Sequence, residues 1–121
     1  MGLYSDTFMD HFLSPRNAGA LTDPDRTGHA GAPGQGPFMI LYLRIGDGRV
    51  TEATYQTYGC GTAIASGSAL TELVVQRAIS DCAGLTDQDI IELLDGVPPD
   101  KLHGPALAIA ALRDALKEER I

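Results

Sequence analysis

A strand-like run that closes on Gly59-Cys60-Gly61 and passes at once into a helix-like run, Thr62-Ala63-Ile64-Ala65-Ser66-Gly67, is the strongest constraint in this chain. So abrupt a passage fixes a tight turn and leaves the first backbone N–H groups of the helix without intrahelical partners. A thiol at that point lies at the positive end of the helix dipole, where its thiolate is favoured. Cys60 is therefore the candidate for chemistry. A second reading stands beside it: a small apolar residue filling a tight turn, as free cysteines commonly are.

The segments around this turn define the fold class. Pro37 to Ile45 and Val50 to Tyr58 read as strands, and Gly46-Asp47-Gly48 supplies the turn of an antiparallel hairpin. Residues 4 to 13 place Tyr4, Phe8, His11 and Phe12 at helical spacing, and Ser14-Pro15-Arg16-Asn17-Ala18-Gly19 stops that helix. Asp23 to Gly36, dense in Gly, Pro and Asp, reads as loop. Thr62 to Ile79 carries Ile64, Gly67, Leu70, Leu73, Val74 and Ala78 on one face of a single buried helix. Thr86 caps a short helix through Ile90, Leu93 and Leu94. Pro105 opens a last helix at its first position, with Ala106, Ile109, Leu112 and Leu116 as the apolar stripe. Strands followed by a run of helices predict an α+β domain, and residues 1–121 show no repeat or linker that would divide them.

Composition narrows the partners. Nine basic residues against sixteen acidic give a net charge of −7, and no Lys/Arg cluster offers a phosphate-binding stripe, which argues against nucleic acid. No apolar run approaches the roughly 18 residues of a membrane span, and the Met1-Gly2-Leu3-Tyr4 start lacks a basic region followed by an apolar block. No membrane association is expected. The two cysteines, Cys60 and Cys82, lie in unrelated contexts, so a reducing, cytoplasmic setting is expected rather than a disulfide framework. Cys82 follows Ser80-Asp81 between two helices and reads as structural; His11 belongs to the first helix, and His29 to a polar loop with no partner in sequence. The Gly31 to Gly36 run lacks the Lys-Ser/Thr ending of a phosphate loop. With no acid–base pair and no nucleophile beside a matched base, no catalytic residue is assigned and the chain is not expected to be an enzyme.

Taken in order, Tyr4-Ser5-Asp6, Asp10-His11-Phe12, Pro15-Arg16-Asn17, Gly31-Ala32-Pro33, Tyr58-Gly59-Cys60-Gly61-Thr62-Ala63-Ile64-Ala65-Ser66 and Pro98-Pro99-Asp100-Lys101-Leu102-His103 resemble the IscU-type iron–sulfur scaffold family, which also forms the N-terminal module of NifU-type proteins. The resemblance spans nearly the whole chain. It implies the IscU-like (SufE/NifU) fold, a small antiparallel sheet packed by helices, on which a cluster is assembled and then handed on. It also implies a site of three cysteines, an aspartate and a histidine. Cys60 matches the second cysteine and His103 the histidine, so the resemblance assigns these two as the cofactor-binding and metal-ligating residues. Gln35 and Pro37 stand where the family has its first cysteine and its aspartate, and Gly104 where it has its third cysteine.

Iron–sulfur clusters are held by four ligands, mostly thiolates, and Gln or Gly offers no comparable donor. The chain therefore reads as a degenerate scaffold-like protein acting in or near iron–sulfur cluster assembly. Iron or an iron–sulfur cluster is the implied cofactor, with transient iron or sulfur binding at Cys60. Two other modes of ligation stay open: a mononuclear metal on Cys60, His103 and a carboxylate such as Asp100, and a cluster shared between two copies. His103 has a further alternative, a backbone hydrogen bond at the entrance to the last helix. The implied partners are a cysteine desulfurase or another assembly protein. The competing reading of the whole chain is a non-cluster-binding interaction module, or a structural subunit of a stable multi-subunit complex.

Overall fold

In the computed structural model, which describes residues 4–117, the first element is helix α1 (Asp6–Leu13). The Met1-Gly2-Leu3 start, on which the expectation of no leader rests, lies outside the described residues. Ser5 caps α1: the Phe8 N–H donates to Ser5 Oγ at 2.9 Å, and the Ser5 hydroxyl donates onward to the Leu94 carbonyl. One side chain thus closes the helix start and ties it to a residue 89 positions further along the chain. Ser5→Ala removes both bonds and is expected to cost about 1.5 kcal/mol, or about 5 °C in thermal midpoint, measurable by calorimetry.

The stretch read as loop contains a strand, β1 (Arg26–Gly31), which pairs antiparallel with β2 (Phe38–Gly46) from Arg26↔Leu43 to Gly31↔Phe38. This corrects the reading of Asp23 to Gly36. The inward residues of β1 are Gly28 and Ala30, too small to show an apolar alternation. Their size has a cause on the other side of the interface, because a Cβ at Gly28 would fall 2.0 Å from the Ala111 carbonyl oxygen and 2.5 Å from the Ala115 nitrogen. The last helix lies almost in contact with the strand backbone.

The hairpin forms where the pattern places it. β2 pairs antiparallel with β3 (Arg49–Tyr58) around Asp47 and Gly48, whose φ values of 54° and 74° are those of the left-handed turn that fits a twisted hairpin. The strand order is β1-β2-β3. Met39, Leu41 and Leu43 from β2 and Val50, Ala53 and Tyr55 from β3 point into the core. On the outer edge of β3, the Tyr55 N–H donates to the Asn17 carbonyl at 3.1 Å and the Gly19 N–H to the Tyr55 carbonyl at 2.8 Å. On the outer edge of β1, the His29 N–H donates to the Asp114 carboxylate at 2.8 Å.

The helix expected from Thr62 to Ile79 is two helices, α2 (Gly61–Val74) and α3 (Ile79–Cys82). Val75 leaves the helix in an extended conformation, and Gln76 turns with φ of 71°. The chain then rejoins the sheet: the Gln76 N–H donates to the Val50 carbonyl at 2.7 Å and the Val50 N–H to the Arg77 carbonyl at 3.0 Å. Strand pairing outweighs a helical pattern that runs on through this point. Helix α4 (Asp87–Leu93) is capped at Thr86, whose N–H donates to the Asp89 carboxylate at 2.8 Å. A single 3₁₀ turn at Pro99–Lys101 leads into α5 (His103–Leu116). The last helix starts at His103, so Pro105 is its third residue rather than its first.

Helices α2 and α5 cover one face of the sheet and pack on each other, with α1 against α2 and α4 against α5. The α+β class and the antiparallel sheet packed by helices are as expected. Tyr55 fixes how α2 sits on the sheet. Its ring lies against Gly67, where a Cβ would be 2.3 Å from the ring, and its hydroxyl donates to the Ile64 carbonyl at 2.8 Å. Burial pushes that hydroxyl's pKa up to about 12, so it stays a donor across the usable pH range. The start of α2 is thereby held at the end of the hairpin.

Candidate thiol site

Cys60 is the N-cap residue of α2, in extended conformation directly after β3, and His103 is the first residue of α5. Because α2 and α5 pack side by side, the two helix starts fall at one end of the molecule. The structure brings the two side chains together: Cys60 Sγ lies 3.2 Å from His103 Nε2, and both residues are exposed. This removes the reading of Cys60 as a small buried filler. It also gives His103 a side-chain partner where a backbone bond was the alternative.

The electrostatics favour the thiolate. Partial burial opposes ionisation, but the N–H groups of Ala63 and Thr62, the His103 ring and the Thr62 hydroxyl outweigh it and bring the Cys60 thiol down to about 7. The sulfur closes no cap hydrogen bond of its own, since the Ala63 N–H is engaged by the Cys60 carbonyl at 3.0 Å. The Ala63 and Thr62 N–H groups act on the sulfur from the start of α2 itself, and His103 reaches it from α5. Cys82 is the opposite case: it is fully buried, and burial pushes its thiol up.

The surroundings of the thiol are apolar and shaped by glycines. Phe12 covers Gly61, where a Cβ would sit 2.8 Å from its ring, and a recess of about 250 Å³ opens among Tyr4, Phe8, Met9, Phe12, Gly61 and Thr62. On the hairpin side, Phe38 and Tyr58 stack with ring centroids 6.2 Å apart beneath Gly34 and Gly36, enclosing a recess of about 360 Å³. Pro37 lies against Gly59, within 3.5 Å of where a Cβ would be. Tyr58 is 67% exposed and Leu102 is 45% exposed, so large apolar side chains adjoin both Cys60 and His103 in sequence and face outward.

The other sequence candidates fall elsewhere. His11 is buried, with Nδ1 2.7 Å from Ser68 Oγ and Nε2 3.5 Å from Glu72, and burial lowers its pKa; it joins α1 to α2. His29 lies on β1 near Asp114 rather than in a loop. Gln35 spends its N–H on the Ala32 carbonyl at 3.1 Å, within the turn of the glycine loop. Among the described residues no group of three or more His, Cys, Asp or Glu side chains is placed to hold a metal ion. A carboxylate such as Asp100 does not complete a mononuclear site with Cys60 and His103. The residues present do not fit a cluster within one chain, because two donors stand where four are needed. Sequence reasoning did not single out Thr62, whose hydroxyl and N–H both bear on the sulfur.

Comparison with known proteins agrees with this architecture. Residues 3–120 match the family model described as NifU-like N terminal domain. The chain is 39% identical over 114 residues to "Iron-sulfur cluster assembly scaffold protein IscU 1" of Archaeoglobus fulgidus, covering 94% of this chain and 74% of that protein. It is 38% identical over 119 residues to the IscU scaffold protein of Haemophilus influenzae, covering 95% and 94%. Among solved structures, a putative iron–sulfur cluster assembly scaffold protein for the SUF system from Fervidobacterium islandicum superposes with a TM-score of 0.72 at 17% identity, over 95% of this chain and 97% of that one. The N-terminal part of a NifU-like protein from Brucella abortus gives 0.61 at 18% identity, over 93% and 78%. Sequence and fold together place this chain in the family of NifU-like N-terminal domains, to which the IscU scaffolds are its relatives.

Proposed function

We propose that this chain works in iron–sulfur cluster assembly as a scaffold-like protein whose own chemistry is reduced to one thiolate, with Cys60 accepting a sulfane sulfur from a cysteine desulfurase. The observation that carries this reading is the exposed Cys60 Sγ held 3.2 Å from His103 Nε2, with no third ligand group beside it among the described residues. Relatives named as cluster assembly scaffolds support the setting. The Cys60 thiolate attacks the outer sulfur of the donor's persulfide, R–S–SH. The donor's S–S bond breaks, a new one forms at Cys60, and the donor cysteine leaves as its thiolate; no net oxidation occurs. His103 Nε2–H donates to the sulfur that carries the charge. With the imidazole proton moved to Nδ1, the same two atoms would offer a single iron ion two donors, too few to retain it. The protein is read as a stoichiometric carrier rather than an enzyme, working in the cytoplasm.

The test is anaerobic incubation with a cysteine desulfurase and cysteine, followed by intact-mass measurement. Wild type is expected to gain one sulfur atom that a thiol reductant removes; Cys82→Ser should gain it as well, and Cys60→Ser should not. Iron and acid-labile sulfide counted on the anaerobically purified protein provide the second arm. Stoichiometric cluster would overturn the reduced-chemistry reading. Absence of sulfur uptake, with the chain held in a stable complex, would establish an interaction subunit instead.

A further inference from the structure

Gly104 stands where the family pattern has a ligand, yet it is buried and its surroundings are specific. A Cβ at this position would lie 2.5 Å from Thr62 Cγ2, 2.9 Å from the Thr62 carbonyl carbon and 2.9 Å from the carbonyl oxygen. Two of those three atoms belong to the backbone of α2's first turn and cannot rotate away. Glycine is not required here for its conformational range, because Gly104 is not among the residues with positive φ. Nor does glycine favour the helix it sits in, since it costs up to about 1 kcal/mol relative to alanine in a helix interior. What the missing side chain provides is space: the first turn of α5 rests directly on Thr62.

We propose that Gly104 is a positioning residue, whose lack of a side chain seats α5 on Thr62 and so holds His103 Nε2 against the Cys60 sulfur. His103 immediately precedes Gly104 in the chain, and Cys60 lies two residues before Thr62. Any lift of α5 from its seat is therefore passed to the sulfur–nitrogen contact with almost no chain between to absorb it. Relieving contacts as short as 2.5 and 2.9 Å requires a local shift. A displacement of about 0.5–1 Å would take the 3.2 Å pair to the limit of a sulfur hydrogen bond. The residue that removes a ligand from the family's set thus also builds the thiol–imidazole pair.

This inference rests on the reading of Cys60 as the reactive thiol, and a kinetic cycle separates the two. The rate of Cys60 alkylation by iodoacetamide is measured at one fixed pH in Cys82→Ser protein, alone and with His103→Gln, Gly104→Ala or both. His103→Gln and Gly104→Ala are each expected to change the rate about 3- to 5-fold in the same direction, and the double variant to match either single one, since both break one contact. A full His103→Gln effect persisting in the Gly104→Ala background, or no effect of either single variant, overturns the positioning role. Should Gly104→Ala not fold, Gly104→Ala combined with Thr62→Ser removes the 2.5 Å contact at Cγ2 while keeping the hydroxyl and the two 2.9 Å backbone contacts, and it too must abolish the His103 effect. If the cycle holds while desulfurase-dependent sulfur uptake fails, the positioning role stands and the sulfur-acceptor reading falls.

Discussion

Gly28→Ala is expected to lower the unfolding free energy by about 3 kcal/mol or more, at or beyond the upper end of the usual penalty for over-packing. The added methyl would fall 2.0 Å from the Ala111 carbonyl oxygen, 2.5 Å from the Ala115 nitrogen and 2.7 Å from the Ala115 Cβ. Neither β1 nor α5 can yield alone. β1 is tied to β2 along its length, and α5 meets it with a stripe of Ala108, Ala111, Leu112 and Ala115 at helical spacing, all buried. Moving α5 outward would open the core against β2 and α2 as well. Against a typical total of about 5–15 kcal/mol, such a loss is a large fraction of stability. Urea denaturation should show a lower midpoint at unchanged slope. A change under about 1 kcal/mol would mean that α5 slides on the sheet, contrary to the close fit described.

The second large effect is chemical selectivity. In the native protein iodoacetamide is expected to modify Cys60 and leave Cys82 intact, with rates differing by more than about 100-fold, because a fully buried thiol reacts only through opening of the structure. Cys60's advantage over an ordinary exposed thiol is smaller. Its pKa of about 7 against a usual 9.0 raises the thiolate fraction at pH 7 about 50-fold. The lower basicity returns roughly 8-fold of that in nucleophilicity, which leaves about 6-fold. The rate should rise with pH, pass its midpoint near 7 and level off above it. The folded-state value is depressed, so the associated stabilisation is fully present above the unfolded thiol's pKa and is lost as pH falls through about 7. Cys60→Ser should remove that part of the stability profile. A midpoint near 9, or equal labelling of both cysteines, would contradict the site as described.

Much of this was legible in the residues, for physical reasons. The hairpin announced itself because two strand-like runs, Pro37 to Ile45 and Val50 to Tyr58, flank the turn residues Gly46-Asp47-Gly48. The abrupt strand-to-helix passage at Gly59-Cys60-Gly61 located the thiol, and the family resemblance named His103. β1 stayed hidden because its inner face is Gly28 and Ala30, sized by a helix that lies far away in sequence. The end of α2 was hidden because the apolar spacing continues past Val75, while the decision to leave the helix is made by pairing of Gln76 and Arg77 with Val50. The contact between Cys60 and His103, and the seat under Gly104, depend on how two helices cross. That is a property of packed backbones, which no local pattern records.

The engaged strand edges bear on how other molecules can approach. At the outer side of β3, Val50 and Tyr55 already exchange backbone hydrogen bonds with residues 76–77 and 17–19, and at the outer side of β1 the Asp114 carboxylate occupies the His29 N–H. An incoming extended peptide would have to displace these bonds before it could lengthen the sheet. Among the described residues, Tyr58 and Leu102 are large apolar side chains that face outward close to Cys60 and His103 in the chain. An extended peptide adding to the flank at Val50, Tyr55 or His29 would first have to release those bonds, whereas Tyr58 and Leu102 already face outward at the tip where the sulfur sits.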